Sequence, residues 1–163
     1  MASTYTPIAT TTLGSAQATI TFNSLGSYTD LILVANYGLS SSGTAYFYTN
    51  GNSGTSNFST TILAGDGSSA RSGRTSSSSI GRINYYANSP TTISGNYILN
   101  FQNYGNSTTY KTVLARSNNA ATGTEATVTL VSSTSAITSI TLDNSGGNYL
   151  AGSTFTLYGI QAA

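Results

Sequence analysis

Cysteine and histidine are both absent from this 163-residue sequence. The first absence excludes disulfides, thiolate metal sites and thiol nucleophiles, and the second removes the commonest general base and neutral metal ligand near pH 7. Charge is nearly as scarce: five Lys+Arg and four Asp+Glu make a charged fraction of 6% and a net charge of +1, against about 25% charged residues in an ordinary soluble domain. So little positive charge does not hold a phosphate backbone, and nucleic acid is not expected as a partner. A charge-poor surface also repels its neighbours weakly, which favours association with other proteins. No apolar run approaches the ~18 residues of a membrane span. The opening Met1-Ala2-Ser3-Thr4-Tyr5 lacks a basic segment followed by an apolar one, so the chain is expected to fold in the cytoplasm where it is made, with no membrane partner.

Helical periodicity is missing as well, and Thr, Val, Ile and Tyr recur where Ala, Leu, Glu and Lys would be expected. Period-two alternation runs through Ala18-Thr19-Ile20-Thr21-Phe22, Ala126-Thr127-Val128-Thr129-Leu130 and Ile137-Thr138-Ser139-Ile140-Thr141-Leu142. Each is expected to turn its apolar residues to the core and its hydroxyls to water. Leu31-Ile32-Leu33-Val34-Ala35 is apolar throughout, as in a strand buried on both faces or covered by a neighbouring subunit. About ten short strands emerge at the spacing of a β-sandwich, with Asn50-Gly51, Asp66-Gly67 and Gly146-Gly147 as the sharpest turns. No composition break divides the chain, so residues 1–163 are expected to form one all-β domain. Residues 65–81, dominated by Ser and Gly, are expected to be its least ordered loop.

Hydroxyl nucleophiles are abundant, but the only available lysine partner, Lys111, falls in the alternating Tyr110-Lys111-Thr112-Val113-Leu114 and is expected to face solvent. The carboxylates are Asp30, Asp66, Glu125 and Asp143. Asp66 and Asp143 sit in turn sequences and Asp30 opens a strand, so no acid pair for glycoside hydrolysis is evident. Calcium at Asp143-Asn144-Ser145 lacks the spacing and charge of a dedicated loop. No catalytic residue, metal site or cofactor is predicted, and the chain is not expected to be an enzyme. The sequons at Asn57 and Asn106 carry no meaning without secretion.

Recognition is a different matter. Tyr46 and Tyr48 share one strand face while Phe47 takes the other. Tyr85 and Tyr86 are adjacent, so one of them points away from the core. Exposed tyrosine faces suit subunit interfaces and sugar-binding surfaces alike. Arg71, Arg74 and Arg82 crowd three of the five positive charges into one Ser-rich stretch. They suit either a solvated loop or one that orders against an acidic partner surface. These five residues are the predicted partner-binding set.

The C-terminal Ile137 to Leu142 strand, then Gly147-Asn148-Tyr149-Leu150-Ala151-Gly152-Ser153 and Phe155-Thr156-Leu157-Tyr158-Gly159-Ile160, resemble the closing signature of small virion structural proteins of tailed phages, of the marine and cyanobacterial phage type. The opening Ile8-Ala9-Thr10-Thr11-Thr12-Leu13, through Ile20-Thr21-Phe22 to Tyr28-Thr29-Asp30-Leu31, resembles the same family, as do residues 50–59 and 106–114. Val131 departs from the pattern, which favours an aromatic there. The resemblance implies a jelly-roll β-sandwich, a homo-oligomer that is a trimer, and attachment to a virion. The partner is then the major capsid protein or another virion protein. Capsid decoration, in which a trimer cements neighbouring capsid subunits, is the leading expectation. A tail-fibre or tail-associated module that recognises host polysaccharide is the alternative. A chain that opens with Met1 and closes just after Ile160 is expected to be its own gene product rather than a piece of a long fibre.

Overall fold

The computed structural model describes residues 5–51 and 54–161. Among them no helix forms, and twelve strands run in chain order: β1 (Tyr5–Thr12), β2 (Ile20–Phe22), β3 (Asp30–Tyr37), β4 (Ala45–Thr49), β5 (Phe58–Gly65), β6 (Ala70–Ser78), β7 (Gly81–Arg82), β8 (Gly95–Gln102), β9 (Lys111–Asn119), β10 (Gly123–Val131), β11 (Ile140–Asn144) and β12 (Thr154–Ile160). They form an eight-stranded sheet, β1-β12-β3-β8-β9-β10-β5-β6, and a four-stranded sheet, β2-β11-β4-β7, with every pairing antiparallel. Setting aside the β5–β6 and β9–β10 hairpins leaves eight strands. Numbered afresh, the first, eighth, third and sixth share one sheet and the second, seventh, fourth and fifth the other, which is jelly-roll order. The two hairpins extend the larger sheet beyond β8.

The jelly-roll half has an aromatic core. Phe47 is fully buried and meets Phe58 and Phe101 edge-on at 5.8 and 5.5 Å. β7 can pass over it only because residue 81 is glycine; a Cβ there would overlap the Phe47 ring. A second cluster joins Tyr37, Tyr97, Tyr149 and Phe155. Leu31, Leu33 and Ala35 of β3 face this core, while Ile32 and Val34 face outward.

Residues 65–81, expected as a loop, instead supply β6, paired with β5 from Phe58↔Ser78 to Gly65↔Ala70. Its side chains are largely exposed. Backbone pairing rather than burial holds it, and composition is blind to that. The turn before it is tied by Asp66, whose Oδ1 accepts the Ser68 and Ser69 N–H groups. The alternating segment from Ile137 becomes a strand only at Ile140, because Asn50 Oδ1 accepts the Thr138 and Ser139 N–H groups.

Lys111 is also not where it was expected. It is buried, and its Nζ donates to the carbonyls of Ser133, Thr134 and Ser135 at 3.3, 2.7 and 2.7 Å. Burial pushes the ammonium below the ordinary lysine range, and the three carbonyls oppose that by holding its protons. The result pins the β10–β11 connection. The fourth correction concerns β10: Ala126, Val128 and Leu130 face solvent, while Glu125, Thr127 and Thr129 are buried.

Candidate interaction surface

That reversal follows from the sheet sizes. A four-stranded sheet does not cover an eight-stranded one, so beyond the two-residue β7 the inner face of β10 and β5 meets loop backbone rather than another strand. Loop N–H and C=O groups need partners, and the strands supply them. The Glu125 carboxylate accepts the N–H groups of Tyr85, Tyr86 and Ala87. Thr127 Oγ1 donates to the Arg82 carbonyl at 2.9 Å, the Arg82 N–H donates to Thr60 Oγ1, and Thr60 and Thr129 bond through their hydroxyls. With polar residues drawn inward, the alternate positions leave apolar residues outside.

The outer face of the large sheet therefore carries Leu63 at 63% exposure, Val128 at 48%, Leu130 at 39%, and Leu114 and Val34 at 36% each. Register lines them up: Val34 opposes Ile98, Leu114 opposes Val128, and Ala126 opposes Leu63. Toward the jelly-roll half the same face turns to hydroxyls and amides, with Thr10 bonded to Thr156, Thr12 to Thr154 and Asn118 to Asn96. Near the β5–β6 turn, the small residues Gly65, Ala70 and Ala126 leave a shallow apolar dish of about 370 Å³, walled by Leu63 and Arg116.

Four of the five residues singled out from sequence come together elsewhere. Tyr46 and Tyr48 point outward from β4, beside Asp143 and Thr141 of β11. Tyr46 also opposes Arg82 of β7. Arg82 lies over the Tyr85 ring at 5.1 Å, Tyr85 meets Tyr86 edge-on at 5.0 Å, and Arg71 lies over Tyr86 at 5.9 Å while bonding Asp66 at 3.2 Å. Together they make a band of tyrosine pairs and arginines around the β7 edge. Burial first, and the Asp143 carboxylate second, raise the Tyr46 and Tyr48 hydroxyls above their ordinary value, so both stay protonated donors. Arg74 is the exception: it opposes Thr61 on the outer face.

The carboxylates fall on four separate elements. Asp30 accepts the Asn103 N–H and Asp143 the Asn144 N–H. In the Asp143-Asn144-Ser145 turn, the Asn144 amide is engaged with the Gly146 N–H and the Ala18 carbonyl. At one end of the sandwich an open cleft of about 730 Å³ is lined by the amides of Asn23, Asn103, Asn106 and Gln161, with Tyr28 and Tyr104 between. The Tyr104 hydroxyl is engaged there, accepting the Tyr28 N–H and donating to the Gly26 carbonyl.

Sequence reasoning missed Arg116 and the apolar outer face. Parity within β9 was the available signal. Lys111 and Arg116 are five residues apart in one strand, so they occupy opposite faces and one of them must point inward.

The molecule is thus a jelly-roll sandwich whose sheet extension exposes apolar side chains on its outer face, with Arg116 and Arg74 among them. No family model matches the sequence, and no curated protein matches it. Among solved structures, an aerolysin-like protein from Bombina maxima aligns over 92% of this chain and 91% of its own at 8% identity and a TM-score of 0.12, a likeness too slight to bear on fold or role.

Proposed function

We propose that this protein is a virion structural protein of a tailed phage, a capsid decoration protein that binds the capsid surface as a trimer and cements it. The observation that carries the reading is the outer face of the large sheet: Leu63, Leu114, Val128 and Leu130 stand exposed on adjacent strands. Such a patch on a chain with 6% charged residues marks a surface that works when covered. The opening and closing segments that resemble tailed-phage virion proteins support the same reading. Its mechanism is multivalent: several modest contacts on one rigid oligomer raise avidity without a strong single site. The test is copy number per particle together with native mass. Hundreds of copies and a trimeric mass support the reading; a handful of copies, or a lone monomer that ignores particles, overturns it.

The cleft of neutral amides favours a second reading, a tail-associated module that holds host polysaccharide, since side-chain amides donate to and accept from sugar hydroxyls. Glycan-array binding that disappears in Asn103→Ala and Asn23→Ala supports it, and a blank array excludes it.

A further inference from the structure

The apolar outer face also carries positive charge with nothing opposite it. Arg116 stands between Ile98 and Ala126, and Arg74 stands beside Thr61. Among the described residues the one ion pair is Arg71 with Asp66. A second copy of this chain is a poor source of counter-charge. Glu125 is buried under three backbone N–H groups, Asp66 is engaged by Arg71, and Asp30 and Asp143 each accept a backbone N–H. With five cationic and four anionic side chains, a copy brings more positive charge than negative.

From this complementarity we infer that the track from Arg116 to Arg74 binds an extended acidic segment of a different protein. One carboxylate of the segment pairs with each arginine, and an apolar side chain between them lies over Ala126, Val128 and Leu63. The arginines are three strands and one pleat repeat apart, roughly 16 Å on ordinary sheet spacings. An extended chain advances about 13 Å in four residues, a separation that keeps both side chains on one face, and the remaining few ångströms lie within the reach of glutamate and arginine side chains. Ala126 and Leu63 form the rim of the shallow dish, so the apolar side chain settles at its edge, and the exposed sheet face leaves room for an extended backbone above it. This deepens the cementing role and rests on it, naming the chemistry of what the face covers.

The probe is a fluorescein-labelled ten-residue peptide with two glutamates four residues apart and a leucine midway between them, all three on one face of the extended chain, compared with the same peptide carrying lysines. Fluorescence anisotropy on the full-length protein is expected to favour the glutamate peptide by about tenfold, with the preference fading as salt rises. Arg116→Gln and Arg74→Gln are each expected to weaken it, and the double variant to abolish the preference. Both arginines are exposed, so a circular-dichroism spectrum matching wild type confirms that the variants fold. Equal binding of the two peptides, no binding of the glutamate peptide up to about 1 mM, or a preference surviving in the double variant overturns the inference. A protein that coats particles in hundreds of copies yet ignores the peptide overturns this inference alone and leaves the cementing role standing.

Discussion

The two halves of the large sheet are built on opposite plans. In the jelly-roll half, β3, β8 and β12 turn Leu, Phe and Tyr inward onto the four-stranded sheet. In the extension, β10 and β5 turn Glu125, Thr127, Thr129 and Thr60 inward and Val128, Leu130 and Leu63 outward. Both obey the same alternation; what differs is the layer each half faces. A strand layer has satisfied its own backbone and asks only for apolar cover. A loop layer presents N–H and C=O groups that require hydroxyls and a carboxylate. The side chains facing away are then free to be apolar, and an interface can be carried there at little cost to the monomer's core.

If the halves differ in this way, substitutions separate them. The largest effect is expected in the aromatic core: Phe47→Ala should cost about 3–5 kcal/mol, read from the urea midpoint, because the cavity beneath β7 is walled by Phe58 and Phe101 and does not collapse. Next comes Glu125→Ala, expected to cost about 2–4 kcal/mol by stranding the N–H groups of residues 85–87. A Glu125→Ala protein as stable as wild type would mean that the loop does not depend on its polar floor. On the outer face the double change Val128→Ser with Leu130→Ser should move monomer stability by no more than about 0.5 kcal/mol. The same change should lower binding to particles. A large loss of monomer stability there would erase the distinction between core and interface.

Much of the jelly-roll half was legible in the sequence. Phe47 between two tyrosines, Leu31-Ile32-Leu33 and Phe155-Thr156-Leu157 each declare a face, since aromatic and branched side chains at period two have one place to go. The extension was not legible, because Ala126-Thr127-Val128-Thr129-Leu130 has the same pattern whether it lies over a strand or a loop. The layer opposite it is decided by sheet sizes that no local window contains. Lys111 was misplaced for a related reason: three carbonyls from residues 133–135 make an inward ammonium tolerable, and that partner set is visible only in three dimensions. Among the sequence-chosen recognition residues, Tyr46, Tyr48, Arg82 and Arg71 share a band only because Tyr85 and Tyr86 bridge between the sheets.

The smallest effect tests whether the extension's last hairpin stands apart from the rest. Asp66 is held down to about 2 from an ordinary 3.8, first by the Ser68 N–H, then by the Ser68 hydroxyl and the Ser69 N–H, with Arg71 adding least. A carboxylate whose folded value lies below its unfolded one stabilises the folded turn above the unfolded value, and that support is lost as pH falls through the folded one. The β5–β6 turn should therefore keep its geometry down to pH 3.8 and loosen around pH 2. The Ser68 and Ser69 amide resonances should titrate together with a midpoint near 2, while those of Leu33 and Leu99, buried in the jelly-roll half, stay still over the same step. A midpoint near 3.8 would show that the turn does not hold its carboxylate. Simultaneous movement of the Leu33 and Leu99 amides would show that β6 and the jelly-roll core open as one unit, so that the halves differ in chemistry but not in cooperativity.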